Sequence, residues 1–312
     1  MTGYGRGMTT QRRLPILDLS QHRAGDPAST RAAAEQLRTA LTEVGFVSVV
    51  GHGVAWAQVT EIYRMAAEYH RLPHATKIDH AMGPTTMGYV PLGGAKQGEF
   101  PALNAAFFMG RPGSRRNQFP PPKDLPGFEQ TVVAYYRTMD ALGHQLLPLY
   151  SLAAGMAADH FDQFFDPALA TLRLTHYPPG DAAEGQWGID PHCDAGYLTL
   201  LPSNPVAGLE VQAASGEWFA VEQEPQSFVV NAGDTLRRWS NDRFLSTRHR
   251  ARNESRTNRY AIPFFFDPRV DSVIDPVAGC IDAGHPKRHE PLVYRDHLTA
   301  FMRRGYAATR PQ

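Results

Sequence analysis

Cysteine is nearly missing from this chain of 312 residues: Cys193 and Cys280 are the only two. That excludes a disulfide framework and any zinc site built on thiolates, and it fits a reducing compartment. No excess of either charge exists, since 31 Lys and Arg balance 31 Asp and Glu. With no net charge, no global field recruits nucleic acid or an anionic membrane, which weighs against a nucleic-acid function and leaves a local patch open. No apolar run approaches the roughly 18 residues of a membrane-spanning helix. The opening "MTGYGRGMTTQRRLP" has no apolar stretch like that of a signal peptide, so the cytoplasm is the expected location. Met1 and Met8 are both candidate starts on this reading.

What remains is ordinary globular composition, 42% hydrophobic and 20% charged, with enough length for a substantial core. "LPILDLS" reads as a short strand, and a helix follows, capped by Ser29 or Thr30 and carrying Ala33, Leu37, Leu41 and Val44 at helical spacing. "FVSVVGHGV" is a strand entering a Gly-rich turn, and "AQVTEIYRMAAEYHRLP" is a second helix stopped near Pro73. Residues 80–123 look like loops with short strands. The longest helical pattern starts at Phe128, with Val132, Tyr136, Met139, Leu142 and Leu146 on one stripe. From about Thr171 to Asp267 the texture becomes β-rich: "TLRLTHY", "YLTLLP", "LEVQ", "WFAVE", "SFVVNAG", "TLRRWS", "STRHRAR", "RYAIPFFF". Short strands at such spacing predict an antiparallel sandwich or jelly roll rather than a parallel sheet. A final helix is expected after Pro291. The expectation is a mostly β protein with flanking helices. Residues 1–165 form a helical and loop region that completes the barrel, and 166–312 form the jelly-roll core, the two making one structural unit.

"WGIDPHCDAGYLTLL" raises a chemical question. His192 and Asp194, at i and i+2 of a strand, would face the same way, and a polar pair on a buried face is costly unless something sits between them. Two histidines with one carboxylate and no thiolate form the facial triad of non-haem iron(II). Among 13 histidines, His249 is the candidate third ligand, because a strand at the far end of the β-rich region can return beside the first. His52, His70, His74, His80, His144 and His160 lie in turns or near helices and read as structural. His176 would face away from its neighbour Tyr177.

In order along the chain, "LPILDLS", "ALTEVGFVSVVGHGV", "LRLTHYPP", "PHCDAGYLTLL", "GLEVQAASGEWFAV", "FVVNAGDTLRRWSNDRF", "STRHRARN" and "RYAIPFFFDP" resemble the isopenicillin N synthase-like family of 2-oxoglutarate- and iron(II)-dependent oxygenases. The resemblance implies a double-stranded β-helix with iron ligands at His192, Asp194 and His249. It implies that Arg259, in the position of the family's R-x-S arginine, binds the distal carboxylate of 2-oxoglutarate, assisted by Tyr177. A guanidinium fork suits that group. Thr175 and Arg173 share the parity of Tyr177 and would line the same cavity. It further implies that dioxygen is consumed, that 2-oxoglutarate is decarboxylated to succinate, and that a small metabolite is hydroxylated or desaturated.

The chain departs from the family at Ala261, where the motif has serine, at Thr175 for asparagine and at His176 for tyrosine. One hydroxyl contact to the carboxylate is therefore missing, a loss of about 1.5–3 kcal/mol. Asn104, Ala105 and Ala106 replace a charged stretch of related bacterial sequences. Tyr89, Leu92, Asn104 and Phe107 are expected at the substrate mouth. Arg237 or Arg238, alternating on a strand, would face inward, and Phe265, matching Arg259 in parity, would shield the metal. Two other readings stand beside this one: an iron oxidase that dispenses with 2-oxoglutarate, and a jelly-roll binding protein without catalysis.

Overall fold

Apolar alternation and capping explain most of the elements in the computed structural model, which describes residues 10–22, 26–84, 86–94, 100–180 and 186–306, with side chains to 301. Met1 and Met8 lie outside the described residues. In chain order the elements begin with β1 (Gln11–Arg13), β2 (Ile16–Asp18), α1 (Pro27–Glu43), β3 (Phe46–Val50), α2 (Trp56–Arg71) and α3 (His74–Ile78). Then come β4 (Tyr89–Val90), β5 (Ala105–Met109), α4 (Phe128–Ala153), β6 (Leu169–Tyr177), β7 (Ile189–His192), β8 (Leu198–Pro202) and β9 (Leu209–Gln212). The chain continues through β10 (Trp218–Glu222), β11 (Phe228–Ala232), α5 (Asp234–Trp239), β12 (His249–Ala251), β13 (Arg259–Ala261) and β14 (Phe264–Asp267). It closes with β15 (Val273–Ile274), β16 (Leu292–Val293) and α6 (Tyr294–Tyr306).

Two sheets face each other. The larger runs β2-β3-β11-β8-β14-β6-β5-β4, with β13 also on β6, and the smaller runs β1-β10-β9-β12-β7. Pairing is antiparallel except β1 on β10 and β2 on β3. This is the jelly roll that strand spacing predicts. Strands from before residue 165 extend both sheets, so the N-terminal part is more than a helical cover.

The outer face of the large sheet carries the helices. Val132, Tyr136, Met139, Leu142 and Leu146 of α4 are buried in one cluster with Leu172, Leu174, Phe264 and Phe266. Each such side chain contributes about 1.5–3 kcal/mol. Gly143 lets α4 approach closely, for a Cβ there would lie 2.6 Å from the Phe266 ring.

Three expectations need correction. The cap of α1 is Asp26, whose carboxylate accepts from the Ala28 and Ser29 amides ahead of Pro27, rather than Ser29 or Thr30. "HATKI" forms its own helix, α3, past Pro73. "TLRRWS" is helix α5, not a strand: the Asp234 amide donates to Asp194 O at 2.8 Å and starts a turn that the alternation of the segment conceals.

Candidate metal and cosubstrate site

Strand β12 lies between β7 and β9, and its register sets His249 directly opposite His192, with a bulge before Ala251. The strand carrying His192 ends there, so Asp194 sits in the following turn and not at i+2 of a continuous strand. Helix α5 fixes that turn: the Thr235 hydroxyl donates to Ala195 O at 2.8 Å, beside the Asp234–Asp194 backbone bond. Asp194 Oδ1 then lies 3.6 Å from His192 Nε2 and 3.8 Å from His249 Nε2. One donor atom from each of the three residues falls within 4.8 Å of the others.

The remaining atoms of the cluster are occupied in a way that aims it. His192 Nδ1 donates to Asp190 O at 2.7 Å and His249 Nδ1 to Thr247 O at 3.1 Å. A carbonyl only accepts, so each Nδ1 holds the proton and each Nε2 presents a lone pair to the centre. Asp194 Oδ2 accepts from the Thr199 hydroxyl at 2.5 Å and the Asn231 amide at 2.8 Å, leaving Oδ1 toward the histidines. Burial opposes its charge, but both imidazoles and the Thr199 bond outweigh burial and hold its carboxyl well below the usual range. His249 is pushed down to about 4, first by burial and then by His192. An array of two neutral imidazoles and a carboxylate fits a divalent first-row metal. The sequence did not single out Thr199 and Asn231; a polar residue inside each of the runs "YLTLL" and "FVVNAG" was the available signal.

Strand β6 presents the second half of the site. Tyr177 pairs with Arg259 and Thr175 with Ala261, so all four share a face, and Ala106 and Phe108 of β5 join it opposite Thr175 and Arg173. Arg259 is 2% exposed. Its guanidinium stacks 4.8 Å from the Tyr177 ring, and Nε donates to Val206 O at 3.3 Å. No carboxylate among the described residues pairs with it, and its Nη1 is buried without a partner, as is the Thr175 hydroxyl. Gly188 makes room for Tyr177, since a Cβ there would lie 2.6 Å from the ring. A buried guanidinium with its Nη1 free and a buried hydroxyl without a partner, on one face, fit an incoming carboxylate.

Of the residues expected at the substrate mouth, Arg173 faces this side, stacked 5.1 Å from Phe108 with its Nη2 donating to Asn104 Oδ1 at 2.8 Å. Asn104 is 2% exposed and donates to Gly188 O at 2.5 Å, so it braces Arg173 rather than lining a mouth. Tyr89 and Phe107 are core residues around Tyr69, because β5 turns Phe107 outward and its neighbour Phe108 inward. Leu92 stands exposed in the turn after β4. Helix α5 takes Arg237 to Asp234 and Asp242, and Arg238 to the Glu290 carbonyl and His289, so neither alternates on a strand. Phe264 and Phe266 are fully buried under α4, and Phe265 points the other way, paired with Thr171 and Thr199. His176 turns away, stacked on Tyr260 at 5.0 Å.

A jelly roll with this donor set defines a protein built around one divalent metal. Residues 168–268 match the model of the 2OG-Fe(II) oxygenase superfamily, and residues 14–127 match that of the non-haem dioxygenase in morphine synthesis N-terminal region. The 2-oxoglutarate-Fe(II) type oxidoreductase hxnY of Emericella nidulans is 31% identical over 94% of this chain and 90% of its own. The 2-oxoglutarate-dependent dioxygenase citB of Monascus ruber is 33% identical over 85% of this chain and 87% of its own. Among solved structures, a full-length Neurospora crassa protein in complex with alpha-KG superposes with a TM-score of 0.87 at 26% identity, covering 95% of this chain and 96% of that one. The chain belongs to the 2-oxoglutarate- and iron(II)-dependent oxygenase family. It is a non-haem dioxygenase with iron(II) as cofactor and 2-oxoglutarate and dioxygen as cosubstrates.

Proposed function

We propose that His192, Asp194 and His249 hold the iron, that Arg259 anchors the distal carboxylate of 2-oxoglutarate with help from Thr175 and Tyr177, and that the enzyme hydroxylates or desaturates a small organic molecule. One observation carries the cosubstrate half of this reading. Arg259 holds a guanidinium in a 2% exposed position with no acidic partner among the described residues and its Nη1 without a hydrogen bond. Such a charge costs several kcal/mol unless a ligand compensates it. The Thr175 hydroxyl stands in register with Ala261 and lacks a partner, so it takes the place of the missing motif serine.

When bound, iron(II) couples the reduction of dioxygen to decarboxylation of 2-oxoglutarate and oxidation of the substrate. The chain's share is positional. The Asp190 and Thr247 carbonyls keep both imidazoles in the metal-binding tautomer, and Thr199 with Asn231 keeps Asp194 ionised and oriented. Phe265 and Phe108 give the chamber apolar walls that exclude water, and Arg173, braced by Asn104, offers the substrate a donor. Tyr89, Phe107, Arg237 and Arg238 drop out of the substrate pocket.

No helix of the described residues is long and apolar enough to cross a membrane. The reading places the enzyme in the cytoplasm, acting on a small molecule and not on nucleic acid or a membrane, with residues 1–165 and 166–312 working as one unit. Both cysteines are free thiols, in keeping with a reducing compartment.

Anaerobic addition of iron(II) and then 2-oxoglutarate tests the reading. A weak visible charge-transfer band that needs both additions is expected, and it should vanish in Asp194→Ala. A band that persists in that variant overturns the metal assignment.

A further inference from the structure

A cavity of about 470 Å³ opens beyond the start of β6, away from Arg259. Arg111, Arg116, Arg269 and Arg295 stand around it, and Asp271 is the one acidic residue in its lining. In a chain whose charges balance overall, four arginines to one acid around a single cavity is a local excess of positive charge, opposed from outside the lining by Asp140, which feels the Arg111 charge. Asp271 is already engaged, 3.2 Å from Arg269 Nε, and Arg269 also reaches Asp166 O. Arg111 and Arg295 have no carboxylate within 4.0 Å among the described residues. The floor is apolar, with Met87, Leu169 and Val270. Solvated arginines on a convex surface would need no explanation. Here they converge from three separate places in the chain: the loop after β5, the segment after β14, and the start of α6.

We propose that this cavity binds a small organic anion, an apolar body resting on Met87, Leu169 and Val270 with a carboxylate or phosphate between Arg111 and Arg295. Guanidinium forks suit either oxyanion, and the apolar floor gives the ligand's body a surface to rest on. Thr171 lines the cavity, pairs with Phe265, and lies one alternation along β6 from Arg173 on the same face. The ligand is therefore either the acidic end of the substrate or a separate effector held next to the substrate chamber. The site stands whether or not Arg259 anchors the cosubstrate.

The test uses full-length protein labelled with ¹³C on methionine methyls, with the Met87 signal assigned by its loss in Met87→Leu. 4-Phenylbutyrate is titrated against its neutral amide, 4-phenylbutanamide. A saturable shift of Met87 with the acid alone is expected, and the double variant Arg111→Gln, Arg295→Gln should raise the dissociation constant roughly tenfold or more. Both arginines are exposed, so the variant should keep its fold. An unmoved Met87 signal, an equal response to the amide, or an unchanged constant in the double variant overturns the proposal. Carboxylates and phosphates that do shift Met87 are then assayed for succinate release. A ligand that is itself oxidised identifies substrate, one that changes the rate without being consumed identifies an effector, and ligands that bind but do neither overturn both roles.

Discussion

Replacing Arg259 with methionine separates two quantities that the native residue ties together. In the resting protein its guanidinium is 2% exposed, and its protein contacts are one hydrogen bond to Val206 O and the face of Tyr177. Those contacts are worth about 1–2 kcal/mol each, whereas leaving a charge buried and unpaired costs several. Methionine fills most of the same volume without charge, so the protein lacking 2-oxoglutarate should be no less stable than wild type. Binding changes in the other direction. Removing one partner of a buried, hydrogen-bonded charge pair costs about 2–5 kcal/mol. Taking about 3 kcal/mol, the 2-oxoglutarate dissociation constant rises about a hundredfold. At a concentration one hundred times the wild-type constant, the cosubstrate adds about 2.7 kcal/mol to the native protein and about 0.4 kcal/mol to the variant. Anaerobic calorimetry with iron(II) gives the affinity, and thermal unfolding with and without 2-oxoglutarate gives the linkage. A rise below about fivefold, with wild-type thermal stabilisation by 2-oxoglutarate, would refute the assignment of Arg259.

The vacancy left by the motif serine gives a paired prediction: Ala261→Ser should tighten 2-oxoglutarate about tenfold, and Thr175→Val should weaken it by a similar factor. Adding the serine to Thr175→Val should recover most of the loss, and failure to do so in a titration means that Thr175 does not face the carboxylate. Asn231→Ala removes one of the two bonds that aim Asp194, so iron(II) affinity should fall about 10–100-fold while 2-oxoglutarate affinity at saturating metal changes little. Competition with a metal-sensitive dye measures the first quantity, and wild-type affinity would mean that Thr199 alone orients the carboxylate. Asp267 accepts from the Tyr197 amide at 2.7 Å, yet burial lifts its carboxyl to about 7. Between its ordinary pKa near 4 and that value the folded protein keeps a proton that the unfolded chain releases. Stability should therefore fall as pH rises through this window, by at most about 1.4 kcal/mol per unit, and Asp267→Asn should flatten that slope. Urea unfolding at several pH values reads the difference between the two proteins, and identical slopes would reject the buried-acid explanation.

Side-chain periodicity made much of this molecule readable. The stripe on α4 and the β-rich run from Thr171 both became the elements that their patterns predict. Order along the chain, not any single motif, pointed to the family. Periodicity misled where a tertiary bond overrode it. Arg237 and Arg238 look like alternating strand residues, but backbone bonds between the 194–197 turn and the 233–235 segment start a helix there. The same bonds lie where the strand stops before Asp194, so the local reason for pairing His192 with Asp194 was partly wrong: turn geometry, not strand parity, aims the carboxylate at the histidines. Substrate-facing residues were least legible, because the parity of β5 cannot be known until its register against β6 is. That register turns Phe108 inward and buries Phe107.

Strand β6 shows why one sequence segment carries so much of the site. Alternate residues Leu172 and Leu174 bury themselves in the helical layer, which leaves Arg173, Thr175 and Tyr177 on the opposite face whatever their chemistry. Its neighbours then add one residue per level: Arg259 beside Tyr177, Ala261 beside Thr175, Phe265 beside Thr171. A buried guanidinium, an open hydroxyl and an apolar wall thus follow one another at strand spacing, about 7 Å per pair of residues. Changing a single inward residue alters one level without moving the rest, because the outward leucines hold the strand. This is why Ala261 can replace the motif serine without disturbing the fold, and why the cost should appear only in cosubstrate affinity.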